Sequence, residues 1–429
     1  MESSRPDALR APTVSQKVVD MSSARPTVVI LGGGFAGLRT LFRLRHLAES
    51  VEIILVDSRS TSLARPALPE VAFAGKDVRH ARFDLAGPVT RSGARLVTQS
   101  VERVEAAERR LVLDNGDVVS YDFLMLALGA HKDYDAIPGF REFGYSLCDD
   151  TEAPRLAAAL AAFRGGPIVV GSARSAWGTR VDAPELAAPC EGPVAEIMFM
   201  LDHHLRRVGL RETSPIRVFS PGAIFFEDVG PRVHEDLGPL IDRQGIEVTT
   251  GLTLASLSKG EVEFDGGTRW ASALTIVLPP YRGNDVVTRS PGLGDEKGFI
   301  PTDTSMRHLD FDGVYAAGDA NALSMPKLGH IAVLQADVAA SSMLHDINGE
   351  GEIRGYQPEI FCIANRGGEQ ATLIYSNFLF GGPTDLTMSG PAAHLMKWGF
   401  DEYYFHTAGH LPPDMATEGL EFILREVLE

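Results

Sequence analysis

TVVILGGGFAGLRTLFRLRHLAESVEIILVD, Thr27 to Asp57, is the stretch that decides the fold. Val28–Leu31 is an apolar, strand-like run that feeds Gly32-Gly33-Gly34-Phe35-Ala36-Gly37. A helical pattern follows on Leu38, Leu41, Phe42 and Leu44, and a second strand, Val51–Val56, ends on Asp57. Gly32 permits a tight turn, Gly34 lets the backbone approach a pyrophosphate, and Gly37 lets the helix lie close to the strand. The phosphates would sit on the free N–H groups and positive end of that helix. Asp57 stands where a carboxylate would hold a ribose hydroxyl. Strand, glycines, helix, strand and acid in register predict a doubly wound α/β unit that binds a dinucleotide.

Outward from this unit the pattern repeats. Ser62–Gly75 reads as a loop and short helix over the cofactor, and Arg95–Leu113 alternates like strands. Asp114-Asn115-Gly116 is a hairpin turn, and Tyr121–Leu128 is a buried strand that ends at Gly129. The same order returns later: Ile246–Leu254 and Gly260–Phe264 as strands, Asp265-Gly266-Gly267 as turn, Leu274–Leu278 as buried strand. Each copy follows a strand and helix, from Val28 in the first and Ile168 in the second, so two Rossmann-like domains of similar design are expected. The second copy, Ile168 to Gly178, lacks the later fingerprint glycines, and its second strand Ile216–Phe219 runs into Ser220-Pro221 without a carboxylate. It should not hold NADH or NADPH tightly.

The expected division is a disordered leader (1–26), a discontinuous FAD-binding domain (27–147 and 297–357), a degenerate NAD-type domain (148–296) and a C-terminal segment (358–429). A formal charge of −17 over 429 residues argues against nucleic acid and gives no help towards anionic lipid. The leader has no apolar core of a secretory signal, and no run is long enough to span a bilayer. A cytoplasmic protein with at most peripheral membrane contact follows. The three cysteines, Cys148, Cys190 and Cys362, form no CxxC and no Cys/His cluster, so no metal site is expected.

Gly313 to Ala320 is a strand ending in Gly318-Asp319, the second contact that FAD makes in such domains, so FAD is preferred to NAD as occupant. Lys327 follows; it is either a solvated surface lysine or the cation that balances charge on a reduced flavin. Candidate cofactor contacts are Gly32, Gly34, Phe35, Ala36, Gly37, Asp57, Ser58, Arg65, Ala127, Gly129, Gly318, Asp319 and Lys327, to which the resemblance described below adds Cys148. Cys190, ahead of Pro193 and a helix Val194–Val208, reads as a thiol at a helix N-terminus, where the dipole favours thiolate. Cys362 alone reads as a core cysteine in an apolar strand. In Leu395–Phe405 (LMKWGFDEYYF), Met396, Phe400 and Tyr403 or Tyr404 share one helical face, which either packs on the body or rests at a membrane surface beside a quinone entrance.

From Val28 to about His406 the chain resembles the sulfide:quinone oxidoreductases, within the two-dinucleotide-domain flavoprotein reductases. The motifs are GGGFAG, Cys190-Glu-Gly-Pro with Glu196, Val277–Gly283, Lys297–Pro301, Tyr315–Asp319, Pro326–His330, Phe361–Ala364 and Trp398–Phe405. The resemblance implies that Cys190 and Cys362 form a redox pair beside FAD, with Glu196 as an acid/base residue and Lys327 by the flavin pyrimidine edge. It implies that Cys148 matches a cysteine linked covalently to the flavin in some members. Sulfide would attack the disulfide to leave a persulfide, electrons would pass through FAD to a quinone, and sulfur would leave as polysulfide or on a small thiol. A homo-oligomer would fit the same family. Phe225-Phe226-Glu227-Asp228 replaces a glycine-rich loop, and Asn365 stands where an acid is frequent. The rivals are a flavocytochrome sulfide dehydrogenase-like subunit, a type II NADH:quinone oxidoreductase and a non-catalytic flavin-binding redox sensor.

Overall fold

The computed structural model describes residues 25–47, 50–349, 353 and 355–411. Most of the expected leader and the acidic tail past Leu411 lie outside the described residues. The first sheet is five-stranded and parallel, in the order Val314–Ala316, Phe123–Leu126, Thr27–Leu31, Glu52–Asp57, Arg95–Thr98. Its strands are nearly unbroken apolar runs because both faces are covered, one by helices and the other largely by a small antiparallel sheet. The helices Phe35–Leu47 and Gly329–Asn348 pack together on one face through Leu38, Leu41, Ile331 and a row of alanines. An antiparallel three-stranded sheet, Val101–Glu105, Arg110–Leu113 and Val118–Ser120, is turned at Asn115-Gly116, where Gly116 has φ +85°.

The second sheet repeats the plan, in the order Gly144–Tyr145, Leu274–Leu278, Ile168–Ser172, Ile216–Phe219, Ile246–Thr249, again all parallel. It carries its own antiparallel trio, Leu254–Ser258, Glu261–Phe264 and Arg269–Ala271. The internal duplication expected from the sequence is therefore present strand for strand. Gly144–Tyr145 already hydrogen-bonds into this sheet, ahead of the boundary expected after Leu147. His131–Lys132 pairs with Tyr281–Arg282 and ties the two crossings together.

The two units differ at one decisive point. In the first, a helix starts within four residues of the strand; in the second, the strand Ile168–Ser172 is followed by irregular chain until the helix Gly192–Arg207. A helix N-terminus beside the strand end is what seats a pyrophosphate, and the second unit has none there. Beyond these units, the antiparallel strands Ile360–Gly367, Gln370–Ser376 and Asp385–Gly390 and the helix Pro391–His406 form a third layer. Ile360–Gly367 packs against Gly192–Arg207, which is how the C-terminal layer reaches the site.

Candidate active site

A cavity of about 1540 Å³ runs from the glycine turn of the first unit to the C-terminal helix. At one end, Gly32 has φ +111° and a Cβ there would overlap the Ala127 carbonyl. A Cβ on Gly34 would meet nothing within 4 Å, so this backbone faces open cavity. Asp57 does more than wait for a ribose: its Oδ2 accepts the Gly33 N–H at 2.6 Å and its Oδ1 the Arg59 N–H at 2.8 Å. It thereby fixes the glycine turn as well as lining the cavity. Of the candidate cofactor residues, Gly32, Gly34, Phe35, Ala36, Asp57, Ser58, Arg65, Ala127, Gly129, Cys148, Gly318, Asp319 and Lys327 all line this cavity. Gly37 does not; its Cβ would overlap the Gly32 carbonyl oxygen, so its work is helix-to-strand packing alone.

Lys327 is buried, not a solvated surface residue. Its Nζ donates to the Asp319 carbonyl at 2.8 Å and lies 4.5 Å from the Phe299 ring centroid. Burial pushes its pKa down to about 8. Lys132, which sequence reasoning passed over, is a second buried lysine, 3.8 Å from Asp319 and 4.4 Å from the Tyr281 ring centroid, also pushed down to about 8 by burial. Cys148 is buried on the cavity wall near these groups, and burial raises its thiol above the ordinary value. For Lys327, the unfolded chain binds more protons than the folded one between about pH 8 and the ordinary 10.5, so the folded state gains as pH rises through that window. Urea melts should therefore show the wild type gaining ~1–3 kcal/mol on Lys327→Met between pH 8 and 10.5, against a pH-independent difference if the lysine were solvated.

Further along the cavity, Cys190 and Cys362 converge. They are far apart in sequence, yet a Cβ on Gly192 would lie 3.4 Å from the Cys362 Sγ and 3.8 Å from the Cys190 Sγ. Both thiols are free and both line the cavity. The expectation of a thiolate at Cys190 needs correction. The helix begins at Gly192 with Pro193 in its first turn, and the Gly192 backbone favours the thiolate, but burial outweighs it and Asp228, Cys362 and Glu191 add negative charge. The Cys190 thiol is held well above its ordinary value, and burial with Glu196 nearby pushes Cys362 up to about 12. A helix end does not ionise a thiol that is buried beside carboxylates.

Glu196 is part-buried on the same helix, and its Oε1 accepts from the Asn365 backbone at 3.0 Å and the Asn365 Nδ2 at 2.8 Å. Burial raises its carboxyl, against the attraction of Lys397. Lys397 escaped the sequence reading. It is the lone lysine in LMKWGFDEYYF, four residues ahead of Asp401, and it sits buried with Nζ 3.1 Å from the Pro66 carbonyl and 3.7 Å from Asp401. Burial would lower it, but Glu196 and Asp401 overcome that and hold it charged. Of the face read on this helix, Met396, Phe400 and Tyr403 line the cavity, and Tyr404 is buried with its ring 4.8 Å from that of Phe35.

Residues 26–336 match the family described as pyridine nucleotide-disulphide oxidoreductase. The chain belongs to that family. Like its relatives it is a FAD-binding oxidoreductase, and the glycine turn, the open backbone at Gly34 and the length of the cavity fit that cofactor. An NADH dehydrogenase-like protein of Mycobacterium tuberculosis is 28% identical over 310 residues, 70% of this chain and 73% of the relative. A sulfide-quinone reductase of Aquifex aeolicus is 22% identical over 436 residues, 93% of this chain and 95% of the relative. The crystal structure of the sulfide:quinone oxidoreductase from that bacterium superimposes with a TM-score of 0.82 at 20% identity, covering 93% of this chain and 95% of the other. This similarity extends past the family match into the C-terminal layer that carries Cys362 and Lys397.

Proposed function

We propose that this protein is a sulfide:quinone oxidoreductase. The observation that carries the reading is the meeting of Cys190 and Cys362 on the wall of the FAD cavity. When bound, FAD supplies a two-electron relay between a thiol donor and a quinone. Gly32 to Ala36 would seat its pyrophosphate, Asp57 its ribose, Asp319 its ribityl part, and Lys327 its pyrimidine edge. In the oxidised chain Cys190 and Cys362 would be joined. A sulfide sulfur then bonds to one cysteine as the Sγ–Sγ bond breaks, leaving a persulfide on that residue and freeing the other. Glu196, fixed by Asn365 and with its carboxyl raised by burial, is the group that would exchange a proton with the Cys362 side. Sulfur leaves to a small thiol or as polysulfide.

Met396, Phe400 and Tyr403 offer an apolar slot for a quinone ring, with Lys397 as a buried cation for its oxygen. No described helix is long and apolar enough to cross a membrane. Leu395, Trp398 and Phe378 are more than half exposed, and they would rest at a bilayer surface from which the quinone enters.

A second reading, NADH oxidation, is favoured by the mycobacterial relative's name. It asks the second unit to hold a pyridine nucleotide where no helix follows the strand Ile168–Ser172. Anaerobic titration of the yellow protein separates the two. Sulfide is expected to bleach the flavin band stoichiometrically and NADH to leave it unchanged; the reverse result overturns the proposal.

A further inference from the structure

A small chamber of about 10 Å³ adjoins the paired cysteines, lined by Cys190, Cys362, Phe226, Asp228, Leu328 and Ile374 among others. It has room for a single molecule of about water's size. Asp228 and Phe226 belong to the segment that departs from the glycine-rich loop of the family the chain resembles.

The departure is built in rather than tolerated. Phe226 adopts φ +61°, a left-handed conformation that bulky residues rarely take. Glu191, next to Cys190 in the chain, accepts the Phe226 N–H on its Oε2 at 2.6 Å, and Glu227 accepts the N–H groups of Ala187 and Ala188 just ahead of Cys190. The two loops are thus clamped together, with the Phe226 ring, 4.3 Å from that of Phe225, held against the chamber. Asp228 is 95% buried, and its Oδ1 has no hydrogen-bond partner. An unpartnered buried carboxylate oxygen costs about 1–3 kcal/mol or more, a cost expected to persist where it serves chemistry.

The titratable groups that act on Asp228, or on which it acts, are Glu227 on its own loop, Glu191 and Cys190 ahead of the helix, and Cys362 on the C-terminal strand. On the helix that follows, Arg232 lies 3.6 Å from both Glu235 and Asp236, and its backbone N–H goes to Asp385. A chamber bordered by acids and thiols repels a hydrosulfide anion and admits the neutral donor.

We propose, on the sulfide reading above, that this chamber takes one neutral hydrogen sulfide, that Asp228 accepts its proton, and that Phe226 limits the growing product to a single sulfur. Atoms and electrons balance within the step. The donor sulfur bonds to one cysteine Sγ, the Cys190–Cys362 bond breaks, and its electron pair leaves on the other Sγ. The donor sulfur is oxidised by two electrons, the disulfide is reduced by two, and the donor's S–H proton goes to the free Asp228 oxygen. Burial raises the Asp228 carboxyl to about 6, so it stands ready as an acceptor at neutral pH.

The test is the pH profile of anaerobic flavin bleaching by sulfide in the FAD-loaded protein, together with mass spectrometry of the cysteine peptides. The wild-type rate should rise through about pH 6 as Asp228 ionises and fall in alkali as neutral donor disappears. Asp228→Asn should lose the acid limb and slow the step roughly 100-fold at neutral pH. Under excess sulfide, wild-type cysteines should carry one extra sulfur and Phe226→Ala two or more. If sulfide bleaches the wild-type flavin but Asp228→Asn keeps the acid limb, or the wild type already carries sulfur chains, the chamber inference fails and the sulfide reading stands. If sulfide bleaches nothing, both fall.

Discussion

Cys190→Ser and Cys362→Ser are each expected to abolish flavin bleaching by sulfide, by on the order of 10⁴-fold or more, while FAD stays bound. Either serine leaves the partner sulfur with nothing to bond, so no disulfide forms and no donor sulfur can be captured by exchange. The third cysteine cannot substitute. Cys148 lies with Lys132 and Tyr281 on another part of the wall, and its thiol is raised by burial like the other two. The residues proposed to seat FAD, Gly32–Ala36, Asp57 and Asp319, line the cavity separately from the cysteines, so the variants should remain yellow. The measurement is anaerobic stopped-flow at the flavin band with sulfide as the sole donor. A rate within tenfold of the wild type in either variant would show that the paired sulfurs are bystanders.

The Rossmann units were legible because their signals are local. Thr27–Asp57 holds strand, turn, helix and strand within one continuous stretch, and the Asn115-Gly116 turn carries its own φ requirement. The departure of the second unit after Ile168–Ser172 was equally legible, since the later glycines are missing within a few residues of that strand. What the sequence hid depends on contacts made over long separations. Asp57 was read as a ribose ligand, but its hold on the Gly33 N–H needed the turn in three dimensions. Cys190 was read from its helix, whereas its ionisation is ruled by burial and by Asp228, brought in from a different loop. Lys397 went unread because nothing near it in sequence marks one lysine on an apolar helix; only the packing of that helix against Glu196 and Pro66 reveals a buried cation. The chemistry-bearing residues are thus the ones whose partners are remote, and the scaffold-bearing residues the ones whose partners are near.

That contrast gives the fingerprint glycines different expected phenotypes. Gly34→Val should fold and lose its flavin. The position needs no left-handed backbone, and a Cβ there meets no protein atom within 4 Å, so the chain has no steric reason to rearrange. The same open space is where a pyrophosphate must touch the backbone, and a branched side chain fills it. FAD affinity should fall roughly 100-fold or more, equivalent to about 3 kcal/mol. Gly37→Ala should do the opposite, because even one methyl group there collides with the Gly32 carbonyl and separates the helix from the strand. Backbone cannot yield as a side chain tip can, so the cost falls on the sheet and helix that build the domain. Circular dichroism, urea melts and flavin absorbance per chain distinguish the outcomes: native melts and a colourless protein for Gly34→Val, a lowered midpoint for Gly37→Ala. A yellow, fully loaded Gly34→Val would mean that the cofactor does not approach this turn, and the seat assigned to its pyrophosphate would have to be abandoned.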